Sequence, residues 1–277
     1  MYFPNRIKAC LDWIEKATWP NGGVAAWVSL PLQVKGPPYP EVTGYLIPTL
    51  LHWDKVALAK QYADWLVVVQ NPEGYWLGID NKPHYFDTAM CLDGLRYFAG
   101  KKKINQAIER AEDWLLAQID GDGIMRRGPG TKFAPFYAVL ACAVIGVAPL
   151  YWINELRDEE WPWTNPERMH YILYGLAGMQ DFGEDVVKWL KQIRDLPHPL
   201  KFWYEKNWGT YMIDPRIDLC ANAQAAILLS DRSYLAVVEA EQQPDGGILE
   251  HPGAMRCTSW TAKYYLDATY KCAKGKM

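Results

Sequence analysis

The chain lacks any run of about eighteen apolar residues, so no membrane-spanning helix is expected. It also lacks a CxxC pair. Its six cysteines (Cys10, Cys91, Cys142, Cys220, Cys257 and Cys272) lie far apart, each inside an apolar helical pattern. That spacing reads as buried free thiols in a reducing cytoplasm, not as a disulfide or metal framework. A surplus of one charge is missing too: 29 Lys and Arg stand against 32 Asp and Glu, a net charge of −3. The basic residues are dispersed, and the run Lys101-Lys102-Lys103 sits just before a helix as a solvated turn, so no nucleic-acid partner is expected. Met1 to Trp13 has no basic leader, apolar core or small-residue cleavage site, so no secretory signal is expected and the cytoplasm is the expected compartment. Strand-like alternation is scarce as well.

What the chain has instead is one phrase written several times. A Trp-Leu helix end is followed by Gln or Lys and then by a polar-Gly turn. The clearest copy runs from Trp65-Leu66 through Gln70 to Gly74-Tyr75-Trp76, and a second from Trp114-Leu115 through Gln118 into Asp120-Gly121-Asp122-Gly123. Weaker copies are Trp13-Ile14 into Asn21-Gly22-Gly23, and Tyr234-Leu235 through Gln242-Gln243 into Asp245-Gly246-Gly247. Copies spaced by roughly fifty residues mark a repeat architecture, whose units cannot bury their apolar faces alone.

Helical periodicity runs through these copies in two alternating classes. One class is amphipathic with a charged face, at 4–17, 55–70, 104–118, 150–158, 182–195 and 231–242. The other is more uniformly apolar and small, at 43–52, 87–99, 134–147, 167–179, 218–229 and 257–272. A helix apolar all round must be covered all round. Covered helices alternating with half-exposed ones predict an all-α (α/α)6 barrel or toroid of six inner and six outer helices, forming a single domain over 1–277. The polar-Gly turns then end the outer helices, since glycine supplies the left-handed conformation that a helix C-terminus favours. The long Pro- and Gly-rich links at 20–42 and 197–216 are expected to rim one mouth of the ring.

Aromatic residues are abundant, with 14 Trp and 17 Tyr. The clusters Trp161-Pro162-Trp163 and Phe202-Trp203-Tyr204 with Trp208 fall in predicted loops, where they suit sugar stacking or the wall of an aromatic cavity. Polar residues gather at the starts of the inner helices: Glu41 and Tyr45; Asp87-Thr88; Arg126; His170 and Tyr174; Asp218, Asn222 and Gln224; Trp260 and Lys263. Asp87-Thr88 also suits an N-cap, because both side chains accept from free helix N–H groups. Asn222 and Gln224 are harder to explain by packing, since an unpaired buried amide costs about 1–3 kcal/mol. Lys263 lies a turn inside the last helix, where it can snorkel inward. This set holds the parts for general acid–base work on a substrate with acidic groups. Hydrolysis, elimination and epimerisation all draw on those parts, and the sequence leaves the three open.

The Trp-Leu-x3-Gln-x3-Gly-x-Trp copy at 65–76 resembles the repeat of squalene and oxidosqualene cyclases and of protein prenyltransferase β subunits. The Asp-x-Asp-Asp acid of the cyclases is absent. Asp218-Leu219-Cys220 and Gly246 to Gly253 resemble part of the prenyltransferase zinc set, but the register places Trp260 where the zinc His would stand, with His251 nine residues early. No metal and no cofactor is therefore expected. Over most of its length the chain is similar to helical-toroid proteins associated with bacterial surface-polysaccharide biosynthesis. The matching stretches are Pro40 to Leu50, Phe86-Asp87-Thr88-Ala89, Asn222-Ala223-Gln224-Ala225 and Trp260 to Tyr265, with Cys220-Ala221 where Thr-Gly is usual. That resemblance implies a carbohydrate context. More distantly, an Asp-Thr at an inner-helix start resembles (α/α)6 glycoside hydrolases, polysaccharide lyases and uronyl epimerases.

The expected function is a carbohydrate-active enzyme working on an acidic, uronic-acid-containing glycan or glycan precursor. Glu41 and Asp87 are the expected acid and base, assisted by Tyr45 or His170. Arg126 and Lys263 hold a carboxylate, Asp218, Asn222 and Gln224 orient the sugar, and Trp76, Tyr174 and Trp260 supply aromatic contact. Two other readings stand beside it: an isoprenoid enzyme whose aromatic lining stabilises carbocations, and a non-catalytic glycan-binding or scaffolding toroid.

Overall fold

The apolar stripes become helices in the computed structural model, which describes residues 4–120, 125, 134–148, 154, 167–181, 186–204 and 214–275. Eleven helices lie among the described residues: α1 (Pro4–Ala17), α2 (Pro40–His52), α3 (Val56–Val69), α4 (Tyr85–Arg96), α5 (Lys102–Leu116), α6 (Ala134–Ile145), α7 (Met169–Asp181), α8 (Val187–Arg194), α9 (Leu219–Leu229), α10 (Arg232–Ala240) and α11 (Ser259–Ala273). The helix expected at 150–158 lies outside the described residues apart from Asn154. α2 starts three residues earlier than its periodicity predicts, because Pro40 at the first helical position has no N–H to leave unbonded. The two classes differ in burial as their patterns require. α5 buries one stripe, Ile104, Ala107, Ala111 and Leu115, whereas α9 is buried continuously from Leu219 to Ala226.

The chain divides into two compact units, each built from separate stretches. One joins Thr18–Ala26 to Pro37–Asn154 and holds α2 to α6. Here α2 packs on α3 and α4, and α4 packs on α5 and α6. The inner pair approaches backbone to backbone: a Cβ added at Gly94 would stand 2.3 Å from the Gly44 carbonyl oxygen, and one at Gly44 would stand 2.6 Å from that of Met90. Only glycine permits this crossing, which sets the second turn of α2 against the second half of α4.

The other unit joins Met1–Ala17, Trp27–Gly36 and Glu155–Met277. In it α9 packs against α7, α10 and α11, and α1 packs on α11. It also carries strands that periodicity did not announce: β1 (Trp27–Ser29), β2 (Val34–Lys35), β3 (Glu167–Arg168), β4 (Lys201–Tyr204), β5 (Asp214–Ile217) and β6 (Arg256–Thr258). They form two three-stranded antiparallel sheets, ordered β2-β1-β6 and β3-β4-β5, with Trp27 opposite Thr258 and Val28 opposite Cys257. Strands of two to four residues are too short to show an alternation, yet pairing satisfies the backbone groups of links that proline keeps from being helical.

The repeated phrase has a physical content visible in both units. Gln70 Nε2 donates to the Gly74 carbonyl (2.9 Å) and to the Ala107 carbonyl of α5 (2.8 Å). Gln242 Nε2 does the same to Gly246 (3.2 Å) and to Arg6 of α1 (2.8 Å). Each glutamine thus closes its own turn and clips it to another outer helix. The turn glycines adopt left-handed φ angles, +105° at Gly74 and +97° at Gly246.

Candidate functional site

Two polar clusters stand at the starts of the apolar helices, one in each unit. In the first, Glu41 is the second residue of α2 and Asp87 the third of α4. Tyr39, just before α2, donates its hydroxyl to Asp87 Oδ2 at 3.0 Å and is also hydrogen-bonded to the Glu41 side chain. The tyrosine is held in place by its backbone: its N–H donates to the Val24 carbonyl (2.9 Å), and its carbonyl accepts from the Thr43 hydroxyl (2.8 Å). At the outer edge of the cluster, His84 Nε2 lies 2.8 Å from Asp80 Oδ1. Gly78 leaves room beside both: a Cβ there would stand 2.9 Å from Asp87 Oδ2 and 2.4 Å from His84 Cδ2.

Electrostatics make this pair unlike surface carboxylates. Asp87 is only 5% exposed, and its pKa is raised well above the usual range, by burial first and then by the neighbouring Glu41 charge, against the opposing pull of His84 and of the Tyr39 hydroxyl. Burial likewise pushes Glu41 up to about 7, with the Tyr39 hydrogen bond opposing. Carboxyls so close cannot both ionise cheaply, so near neutral pH the pair keeps a transferable proton.

A stability signature follows. Because the native state holds the Glu41 proton more tightly than the unfolded chain does, the contribution is fully present below the ordinary glutamate pKa and is lost as pH rises through about 7. Wild-type stability is expected to fall by an amount on the order of 1–3 kcal/mol between about pH 5 and 8, read as a falling melting temperature. Glu41→Gln is expected to flatten that slope. Parallel melting profiles for the two proteins would refute the assignment.

In the second cluster, Asp218 is the N-cap of α9, its Oδ1 accepting from the Ala221 N–H at 2.9 Å. Its other oxygen, Oδ2, lies 2.7 Å from His170 Nδ1 at the start of α7. A carboxylate at Nδ1 puts the ring proton there and leaves Nε2 as the acceptor, the geometry of an oriented base. Further along, the Tyr174 and Tyr264 rings meet edge-on at 5.4 Å, and Lys263 Nζ sits 3.8 Å over the Tyr264 ring.

Several expected sites are placed differently. Asp87 is not an N-cap: α4 is capped at His84 without a side-chain bond, and Asp87 is the third residue of the helix, within its first turn. Trp76 does not line a cavity. It is fully buried and its indole N–H donates to the Leu66 carbonyl at 2.9 Å, so its ring is packing. Asn222 is also structural: Oδ1 accepts from the Leu200 N–H, and Nδ2 donates to the carbonyls of Leu200 and Asp218. Lys263 is paired with Asp267 at 2.9 Å. Burial lowers the Lys263 pKa, but Asp267 and Tyr264 outweigh it and raise it. Tyr45 is buried one turn along α2 from Glu41, and Trp260 is half-buried in the first turn of α11. Arg126, Trp161, Trp163 and Trp208 lie outside the described residues. Sequence reasoning missed Tyr39, although it stands two residues before Glu41, and missed the Asp80–His84 pair. An i, i+4 His–Asp spacing was the available signal.

Asp218, Cys220 and His251 do not assemble. Asp218 caps α9, Cys220 is buried, and His251 Nε2 lies 3.3 Å from Arg216 Nη1. Among the described residues, no three of His, Cys, Asp and Glu gather as a metal site, and no helix is long and apolar enough to cross a membrane.

No protein-family model matches the chain, and no curated protein matches it by sequence. Solved structures do match. The chain is similar to an alpha-amylase from Clostridium perfringens, with a TM-score of 0.71 at 13% identity over 96% of this chain and 97% of that one. The fold is shared with helical-toroid proteins. A glycosidase variant in complex with glucose matches at a TM-score of 0.65 and 13% identity, covering 98% of this chain and 96% of the other. A type II terpene cyclase from Scytonema in complex with merosterolic acid A matches at 0.67 and 12% identity, with coverage of 98% and 96%. At such identities the likeness is one of fold, and it meets the toroid resemblance read from the repeat.

Proposed function

We propose that the chain is a carbohydrate-active enzyme that acts on an acidic glycan or glycan precursor by general acid–base chemistry. The observation that carries this reading is the Tyr39-bridged pair of buried Asp87 and half-buried Glu41, holding a proton near neutral pH. Asp87 is the acid and Glu41, the more readily ionised partner, the base. Two carboxyls in opposed protonation states are what breaking or remaking a glycosidic linkage or inverting a uronate carbon requires. A pair that keeps one proton also repels a substrate carboxylate less than two ionised carboxylates would. His170, oriented through Nδ1 by Asp218, is a second base, and Tyr45 assists beside Glu41. The ring of six inner and six outer helices, closed as one domain over 1–277, belongs to this reading, as does Arg126 as the group that holds the uronate. The glycosidase likenesses support a sugar substrate without naming it.

One observation favours a second reading, an isoprenoid enzyme. A buried aspartic acid that keeps its proton is the kind of group from which protonation of an alkene starts, and the terpene cyclase likeness supports the same class. A thermal-shift panel of uronic-acid oligosaccharides, neutral oligosaccharides, sugar nucleotides and isoprenyl diphosphates separates the two. A ligand at a hundred times its dissociation constant adds about 2.7 kcal/mol, worth several degrees for a chain of this size. Shifts confined to glycans are the expected result. Shifts confined to diphosphates would overturn it in favour of the isoprenoid class.

A further inference from the structure

Gln224 lies in the middle of α9, only 4% exposed, and neither of its amide atoms has a hydrogen-bond partner. The contrast with Asn222, two residues earlier and fully bonded to backbone, shows that this helix can satisfy an amide where packing is the purpose. The direction in which Gln224 points can be read from its neighbours. Asn222 and the alanines at 221, 223, 225 and 226 are fully buried, whereas Cys220 and Gln224 keep a sliver of exposure and Ile227 is half-buried. Residues 220, 224 and 227 form one stripe at helical spacing, the side of α9 that is least closed over between 219 and 227. The two helices packed against α9 carry matching stripes: Tyr171 and Tyr174 on α7, and Trp260, Lys263 and Asp267 on α11, all half-buried.

We infer that Gln224 is a ligand hook on this wall, left unbonded to receive the adjacent hydroxyls of a sugar ring. A primary amide offers an acceptor and two donors in one plane, which a vicinal diol complements with a donor and an acceptor side by side. Tyr174 and Trp260, on the two helices packed against α9, offer ring faces or edges to the apolar side of a pyranose. The ammonium on the wall, Lys263, is answered by Asp267, so the stripe suits hydroxyls better than a second anion. This inference rests on the carbohydrate reading and deepens it by naming what recognises the ring.

The test is Gln224→Met in the full chain, close in shape and unable to make the bonds, with thermal unfolding measured alone and with glucose or glucuronate. Without sugar, the variant is expected to melt a few degrees higher than wild type, because an unsatisfied amide has been removed. With sugar, the wild type is expected to rise and the variant to lose the response, its affinity weakened roughly 10- to 100-fold. A lower melting temperature for the ligand-free variant would show that the amide is bonded after all, and would overturn the inference. Equal sugar responses in both proteins would overturn it too while leaving the carbohydrate reading intact. A wild type silent to both sugars but shifted by an isoprenyl diphosphate would overturn both.

Discussion

Replacing Asp87 by asparagine is expected to lower turnover by roughly 10²- to 10⁴-fold while moving the melting temperature little. The two halves of that expectation have one cause. Burial and the Glu41 charge raise the Asp87 pKa, so the native group holds its proton far more tightly than an ordinary aspartate. Asparagine has its shape and its lack of charge, and its carbonyl still accepts from the Tyr39 hydroxyl that stands 3.0 Å away. What it lacks is a proton that can leave. Tyr39→Phe is expected to be milder, because it removes a hydrogen bond but not the acid. The check is turnover of whichever glycan shifts the wild-type melting temperature, set beside the melting temperature of the variant. Full activity in Asp87→Asn would remove Asp87 from the chemistry, and a variant that fails to fold would make it a structural residue of α4.

Gly246→Ala and Gly74→Ala are expected to be the most damaging single methyl additions in the described chain, at about 3 kcal/mol each, or roughly 6–12 °C in melting temperature. Two penalties coincide at these sites. The left-handed φ angles, +97° and +105°, are strained for any residue with a Cβ. The added atom would also meet backbone that cannot turn aside: the Ala9 carbonyl oxygen at 2.0 Å from position 246, and that of Arg110 at 2.1 Å from position 74. Gly253 separates the two penalties, since its φ is +78° but nothing lies within 4 Å of its Cβ position. Gly253→Ala is expected to cost about 1–2 kcal/mol from strain alone. Equal losses at all three positions, measured by denaturant unfolding, would show that the clip between outer helices contributes nothing. The same change would also weaken the Gln242 and Gln70 bonds that hold each turn to α1 and α5.

The acid pair was legible in part. Glu41 and Asp87 were found because polar residues at the starts of apolar helices are conspicuous, but the tyrosine that joins them was not. Nothing in the spacing of Tyr39 says that its hydroxyl reaches a carboxyl 48 residues away. Asn222 and Gln224 looked alike as amides in an apolar run. The fold separates them, because one is bonded to the Leu200 and Asp218 backbone and the other is buried with both amide atoms unpartnered. Trp76 looked like an aromatic lining residue and proved to be packing, because a Trp in a turn can bury its ring as readily as present it.

Taken alone, the order of residues determined whatever depends on near neighbours. That covers the helices and their two classes, since burial follows from periodicity, and the glycine turns, since only glycine accepts their φ angles. Tertiary structure alone decided which polar groups meet. The packing of α2 on α4 brings Asp87 and Glu41 to the same tyrosine, and the packing of α7 on α9 sets the His170–Asp218 pair. Protonation belongs to the second kind, because a carboxyl takes its pKa from the water it has lost and the charges it has gained, and both are supplied by distant parts of the chain.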